Sequence, residues 1–156
     1  MPTTRKDSSL LLEILEQGYS RQAWHGPTLR QSLRGVSAQG AAWRPAPGRH
    51  NIWEIAVHAA YWKYVVRRRL RGEKRGSFVI KGSNWFKLPV ELNEKAWRAD
   101  LALLETEHRK LREAMVDCLN GKTRQVPERL LFGVAFHDIY HAGQIRLLRR
   151  LQSGES

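Results

Sequence analysis

Four stretches of the chain carry apolar residues at steps of three and four, the spacing of a helix with one buried face. The first predicts a helix over about 8–18, capped by Asp7 or Ser8, with Leu10, Leu11, Ile14 and Leu15 facing inward. Gly18 and the run Trp24-His25-Gly26-Pro27 interrupt it, and Pro27 suits the first turn of a short helix reaching about Arg34. Ser37 is placed to cap a brief turn before Arg44-Pro45-Ala46-Pro47-Gly48, a run that excludes helix. Asn51 caps a long helix over about 52–71 that Gly72 ends; its inward stripe is Ile55, His58 with Ala59, Trp62 and Val66. A third long helix runs from about Asn93 to Leu119, where Trp97, Leu101, Leu104, His108, Leu111, Met115 and Cys118 form a continuous seam. The last covers about 128–151, with Leu130, Val134, His137, His141, Ile145 and Leu148 on its stripe.

These elements predict an all-α four-helix bundle in one domain, residues 1–156. About eight residues join the last two long helices, so they are expected to be antiparallel neighbours. About twenty irregular residues, 72–92, join the second and third, far more than a hairpin needs. A long crossover lets consecutive helices run parallel, which predicts an up-down-down-up order.

Composition narrows the function classes. Hydrophobic residues make up 42 %, as in a globular protein, and no apolar run approaches a membrane span. The N-terminus does not read as a signal peptide, and one cysteine, Cys118, excludes an intrachain disulfide and an all-cysteine metal site. Together these point to the cytoplasm. Lys and Arg number 27 against 15 Asp and Glu, a formal charge of +12. The excess is concentrated at 63–76 and 146–150, at the ends of predicted helices, where cations offset the helix dipole. Solvated helix ends are the simple reading, with weak, salt-sensitive attraction to polyanions as the consequence. No zinc-finger spacing, RNA-binding aromatic signature or Gly-rich phosphate loop supports specific nucleic-acid recognition.

The chemistry lies in the histidines. One i,i+4 pair, His137 and His141, is a weak signal alone among six histidines, but both sit on an inward stripe, as His58 does on another helix. Imidazoles aimed into a bundle interior are costly unless each has a partner: either neighbouring polar groups or a shared metal ion. Three nitrogens without a cysteine or carboxylate would leave an open site of catalytic type, suited to Zn, Ni, Fe or Cu. Asp138 follows His137 where a zinc protease has Glu, and is one methylene too short for the same role. Glu54 is the best placed acceptor for the second N–H of His58; Asp138 and Gln144 come next, for His141. His108 lines the pocket, adds a ligand or bonds within the core. His25 either covers the end of the bundle or stays in a solvated loop, and Cys118 packs.

The runs Asn51-Ile-Trp-Glu-Ile-Ala-Val-His58-Ala-Ala-Tyr-Trp62 and His137-Asp-Ile-Tyr-His141-Ala-Gly-Gln144-Ile resemble the DinB/YfiT-like metal-binding superfamily. Trp24-His25-Gly26-Pro27 and the segment from Pro45 to Gly48 are similar to one branch of it, so the resemblance spans nearly the whole chain. It implies an up-down-down-up bundle, often a homodimer, with a divalent metal (Zn, Ni or Fe) on His58, His137 and His141. Members of that superfamily with known chemistry include transferases of low-molecular-weight thiols. The leading expectation is a metalloenzyme that activates a thiol or water on this metal and acts on a small molecule, as a thiol S-transferase does. Two other classes remain open at this point: a metal-dependent hydrolase, and a non-enzymatic basic module that binds nucleic acid or a protein partner.

Overall fold

A computed structural model describes the backbone of residues 5–123 and 126–154 and the side chains from Leu10 onward, apart from those of the undescribed residues. The described residues form six helices: α1 (Arg5–Tyr19), α2 (Leu29–Leu33), α3 (Ala38–Ala42), α4 (Ile52–Arg71), α5 (Glu94–Leu119) and α6 (Glu128–Ser153). No strand occurs among the described residues. None of these helices is long and apolar enough to cross a membrane. The cap expected of Asp7 or Ser8 lies outside the described side chains.

Local chemistry accounts for the helix ends. The Asn51 side chain accepts from Glu54 N at 2.8 Å, and Glu54 returns the bond to Asn51 N at 3.3 Å, a reciprocal cap on α4. Gly72 closes α4 in the left-handed region at φ 69°. Asn93 caps α5 through Ala96 N at 2.9 Å. Pro27 does not open the second helix: Thr28 caps it, again reciprocally with Gln31, so α2 starts at Leu29. Nor does Gly18 interrupt α1, which continues to Tyr19. A Cβ on Gly18 would lie 2.8 Å from the Ala135 carbonyl oxygen, so glycine there permits close contact between α1 and α6.

Side-chain pairs give the helix directions. Trp53 meets Asp100, Arg67 meets Glu107 and Arg71 meets Asp117, so α4 and α5 run parallel. His58 meets His141, Lys63 meets Asp138, and Val66 shares a cavity with Val134 and Leu130, so α4 and α6 are antiparallel. Tyr19 with Glu105 and Glu16 with Arg112 set α1 antiparallel to α5.

Two apolar clusters fill the interior. One joins α2, α3 and the N-terminal halves of α4 and α5 to the last turns of α6, around Trp53, Trp97 and Ile145. The other joins α1 and the far ends of α4 and α5 to the start of α6, around Leu15, Leu70, Leu111 and Leu131. Between them, on α4, α5 and α6, lie six buried polar residues: His58 and Lys63, Glu107 and His108, Asp138 and His141. Unpaired polar groups at this depth are costly, so this layer is where chemistry is expected.

Candidate metal centre

His58 projects from the middle of α4, and His137 and His141 project one turn apart from α6. Helical periodicity places each on its helix's inner face, and the antiparallel packing of α4 against α6 brings the two faces together. The Nε2 of His137 lies 3.1 Å from Nε2 of His58 and 3.0 Å from Nε2 of His141. All three residues offer a nitrogen within 4.8 Å of the others'. Among the described residues, no other group of histidines, cysteines and carboxylates has this convergence.

The second nitrogens fix the tautomers. His58 donates from Nδ1 to the carbonyl oxygen of Asn84 at 2.8 Å; a carbonyl can only accept, so the Nε2 of neutral His58 is a lone pair. His141 Nδ1 donates to Gln144 Oε1 at 2.7 Å, and Gln144 Nε2 donates to the Tyr140 hydroxyl at 3.2 Å, which turns the amide oxygen toward the ring. The Nε2 of His141 is then also a lone pair. His137 has one nitrogen between the other two rings, and its Nδ1 is buried without a partner. A single proton on His137 Nε2 can serve only one neighbour and leaves the lone pair of the other without a donor.

Protonating the rings is disfavoured. Burial lowers the pKa of His58, with the Asn84 carbonyl opposing and His50 adding to the fall. His137 is lowered to about 3 by burial, then by His141, His58 and Lys63, and His141 to about 4, mainly by burial. Three neutral imidazoles with converging lone pairs are the donor set a divalent cation requires. At metal–nitrogen lengths of about 2.0–2.1 Å, tetrahedral neighbours stand about 3.3 Å apart, close to the separations seen here.

The partners of these ligands differ from the sequence expectations at two residues. Glu54 is not the acceptor for His58: its carboxylate caps α4, takes both Arg44 nitrogens at 2.5 and 2.9 Å and lies 3.0 Å from His50 Nδ1. Asp138 does not serve His141 either; fully buried, it bonds the ammonium of Lys63, which is itself fully buried. Burial pushes the Asp138 carboxyl up from its usual range, while the Lys63 ammonium pulls it back. Lys63 is therefore not part of a solvated helix end. Gln144 stands on His141 as described above. Trp62 sets its edge toward His58 and His137, with centroids at 6.3 and 6.2 Å, and donates from Nε1 to Asn84 Oδ1 at 3.0 Å.

His108 and His25 are not in the group. His108 is buried between α1 and α5, stacked on Tyr19 at 3.7 Å, with neither ring nitrogen hydrogen bonded. Its Nε2 is 3.6 Å from Glu16, but burial, Lys63, Arg112 and Arg30 lower its pKa to about 2, so this approach is not an ion pair. His25 is exposed, lining a surface cavity beside Ala142, Gly143 and Arg146.

Residues of the long crossover complete the site, and sequence reasoning missed them. Asn84 has φ 62°, the left-handed conformation that asparagine tolerates better than other side-chain-bearing residues, and thereby presents its carbonyl to His58. Trp85 lies between two imidazoles, 3.9 Å from His58 and 3.6 Å from His50, near parallel to both. It is thus engaged at the centre. A cavity of about 140 Å³ reaches His137 between Trp62, Val66, Arg69, Arg129 and Val134. A larger cavity, about 770 Å³ beside Tyr19, Arg30 and Trp97, is lined by none of the three histidines.

A helical fold with three converging histidines on two antiparallel helices defines a candidate metal-binding bundle. Residues 22–145 match the model of the DinB superfamily, and the chain belongs to that family. Neither the curated proteins nor the solved structures contain a match to it.

Proposed function

We propose that the chain is a single DinB-like domain that holds one divalent transition metal (Zn, Ni or Fe) on His58, His137 and His141 and uses it as a metalloenzyme. The convergence of three neutral Nε2 atoms, two of them with Nδ1 already committed as donors, carries this reading. A bound ion would supply a Lewis-acidic position at which a small thiol or a water loses its proton near neutral pH. The chain's residues do the rest. Asn84 and Gln144 orient two of the ligands. Trp62 and Trp85 cover the rings and restrict water. Arg69 and Arg129, in the cavity beside His137, favour an acidic thiol or acceptor.

Thiol S-transfer is the preferred reaction class, with a low-molecular-weight thiol as cosubstrate. Cys118 is buried, so sulfur chemistry at the centre calls for an external thiol. The helix directions support the up-down-down-up order. A homodimer is supported by an exposed apolar row on α6, Phe136, Tyr140, Leu147 and Leu151, which a second copy would cover.

The test is elemental analysis of untagged protein, followed by titration of bacillithiol, mycothiol and glutathione into the cobalt-substituted form. About one metal per chain and a sulfur-to-cobalt charge-transfer band with one of the thiols are expected. Absence of stoichiometric metal after loading would overturn the centre. A silent cobalt spectrum together with hydrolysis of ester or phosphate substrates would replace thiol transfer by metal-dependent hydrolysis.

A further inference from the structure

The cations of α4 divide into two sets. Lys63, Arg67 and Arg71, four residues apart, share one face and are spent on structure: Lys63 on Asp138, Arg67 on Glu73 and Glu107, Arg71 on Asp117. Arg68 and Arg69 lie off that row and pair with no carboxylate among the described residues. Arg68 donates only to the neutral carbonyl of Glu73, at 3.1 Å. Two loop cations, Arg75 and Lys81, likewise have no acidic partner among the described residues, and all four line one cleft of about 530 Å³. No Asp or Glu is among the cleft's lining residues.

The rest of the cleft is aromatic and built into the fold. Phe78 packs on Tyr61 and Tyr64, with centroids at 5.4 and 5.2 Å. The loop is pinned to α4 where the Tyr64 hydroxyl accepts from Ser77 N at 3.1 Å. Gly76 and Gly82, at φ 95° and 129°, let it turn over the helix. Trp62 forms one wall, and both Trp62 and Arg69 also line the small cavity that reaches His137. Four cations with no acidic partner among the described residues, three of them exposed, give this concave surface a positive potential, and the volume lies within the usual range of about 300–1,000 Å³ for small-molecule sites.

We propose that this cleft binds a small anionic molecule with an aromatic or apolar body, such as an aryl phosphate or aryl carboxylate. Arg68, Arg69, Arg75 and Lys81 hold the anion, and the body lies against Trp62 and Phe78. The inference does not depend on the metal reading, because none of the three histidines lines this cleft. Where both hold, the shared wall at Trp62 and Arg69 places the ligand beside the metal centre.

The experiment is a fluorescence titration of EDTA-treated full-length protein with 1-naphthyl phosphate, using 1-naphthol and inorganic phosphate as the two half-ligands. Saturable binding at least about tenfold tighter than either half-ligand is expected, weakening when salt is raised to about 0.15 M. Lys81→Gln, in the loop, and the pair Arg68→Gln with Arg75→Gln should each weaken it, the pair by at least about tenfold. Arg109→Ala, on the exposed side of α5, should not. Circular dichroism checks that each variant is folded. Equal binding of 1-naphthol, no saturable binding, or folded variants that bind like the parent would overturn the proposal. Displacement by a single-stranded oligonucleotide at lower concentration than the aryl phosphate would also overturn it and assign the cleft to nucleic acid.

Discussion

The bundle buries histidines in two places, and they behave differently. Between α1 and α5, His108 stacks flat on Tyr19, with no hydrogen bond to either nitrogen. Between α4 and α6, three rings bring their Nε2 atoms together while two Nδ1 atoms donate to fixed acceptors. Burial keeps the rings neutral in both places. Neutrality alone therefore does not make a ligand set. What separates the two regions is convergence, and the crossover carbonyl and the Gln144 amide that decide where each proton sits.

Removing ligands should sharpen that contrast most. His137→Ala and His141→Ala are expected to lose stoichiometric metal, whereas His108→Leu should keep it. Plasma mass spectrometry of the loaded, desalted proteins reads the difference. Full occupancy in both ligand variants, or loss of metal from His108→Leu, would erase the distinction.

The next effect lies in the polar layer both regions share. Lys63 bonds Asp138, stands 4.7 Å over the Tyr19 ring and lowers the pKa of both His108 and His137. Asp138→Ala leaves that ammonium buried without its counter-charge and should destabilise the fold by about 3–5 kcal/mol. Lys63→Met combined with Asp138→Leu should recover most of the loss, because both charges are then gone. Denaturant melts of the single and double variants test this; equal destabilisation in both would show that packing, not charge, sets the cost.

Acid should give the smallest effect. His108, His137 and His141 titrate at about 2, 3 and 4 in the folded, metal-free protein, below the ordinary histidine value of about 6.5. The unfolded chain therefore takes up these protons first. Their contribution is fully present above about pH 6.5 and is lost as pH falls toward the folded values. Each such group adds up to about 1.4 kcal/mol per pH unit to the slope in that window. His108→Leu should flatten the slope by about one proton's worth while leaving the other two. Melting temperatures of EDTA-treated protein between pH 7 and pH 5 measure it, and a slope unchanged by the substitution would contradict a buried neutral His108.

Much of this was legible in the chain. The periodicity that marks α4, α5 and α6 also marks His58, His137 and His141 as inward, because a helix determines which residues share a face. Gln144 was reachable for the same reason, standing three residues beyond His141 on one helix. Glu54 was misassigned although its own signal was present: Asn51-x-x-Glu54 is a reciprocal cap, which turns the carboxylate back to the helix start. Lys63, four residues after Ala59 and three before Val66, also lay on the inward stripe, yet its charge suggested solvent. Only Asp138, arriving from another helix, makes its burial tolerable.

By itself, then, the sequence determined which segments are helical, that Ser37 and Asn51 cap two of them and which histidines face inward, since these follow from local hydrogen bonding and the pitch of a helix. Tertiary structure decided what those side chains meet. Asn84 and Trp85 reach His58 across 26 and 27 positions of chain, from a segment with no periodic pattern to reveal its path. Four surplus cations from a helix and a loop share one cleft only because the crossover folds back over α4. Partner choice between elements depends on packing in three dimensions, and no local pattern encodes it.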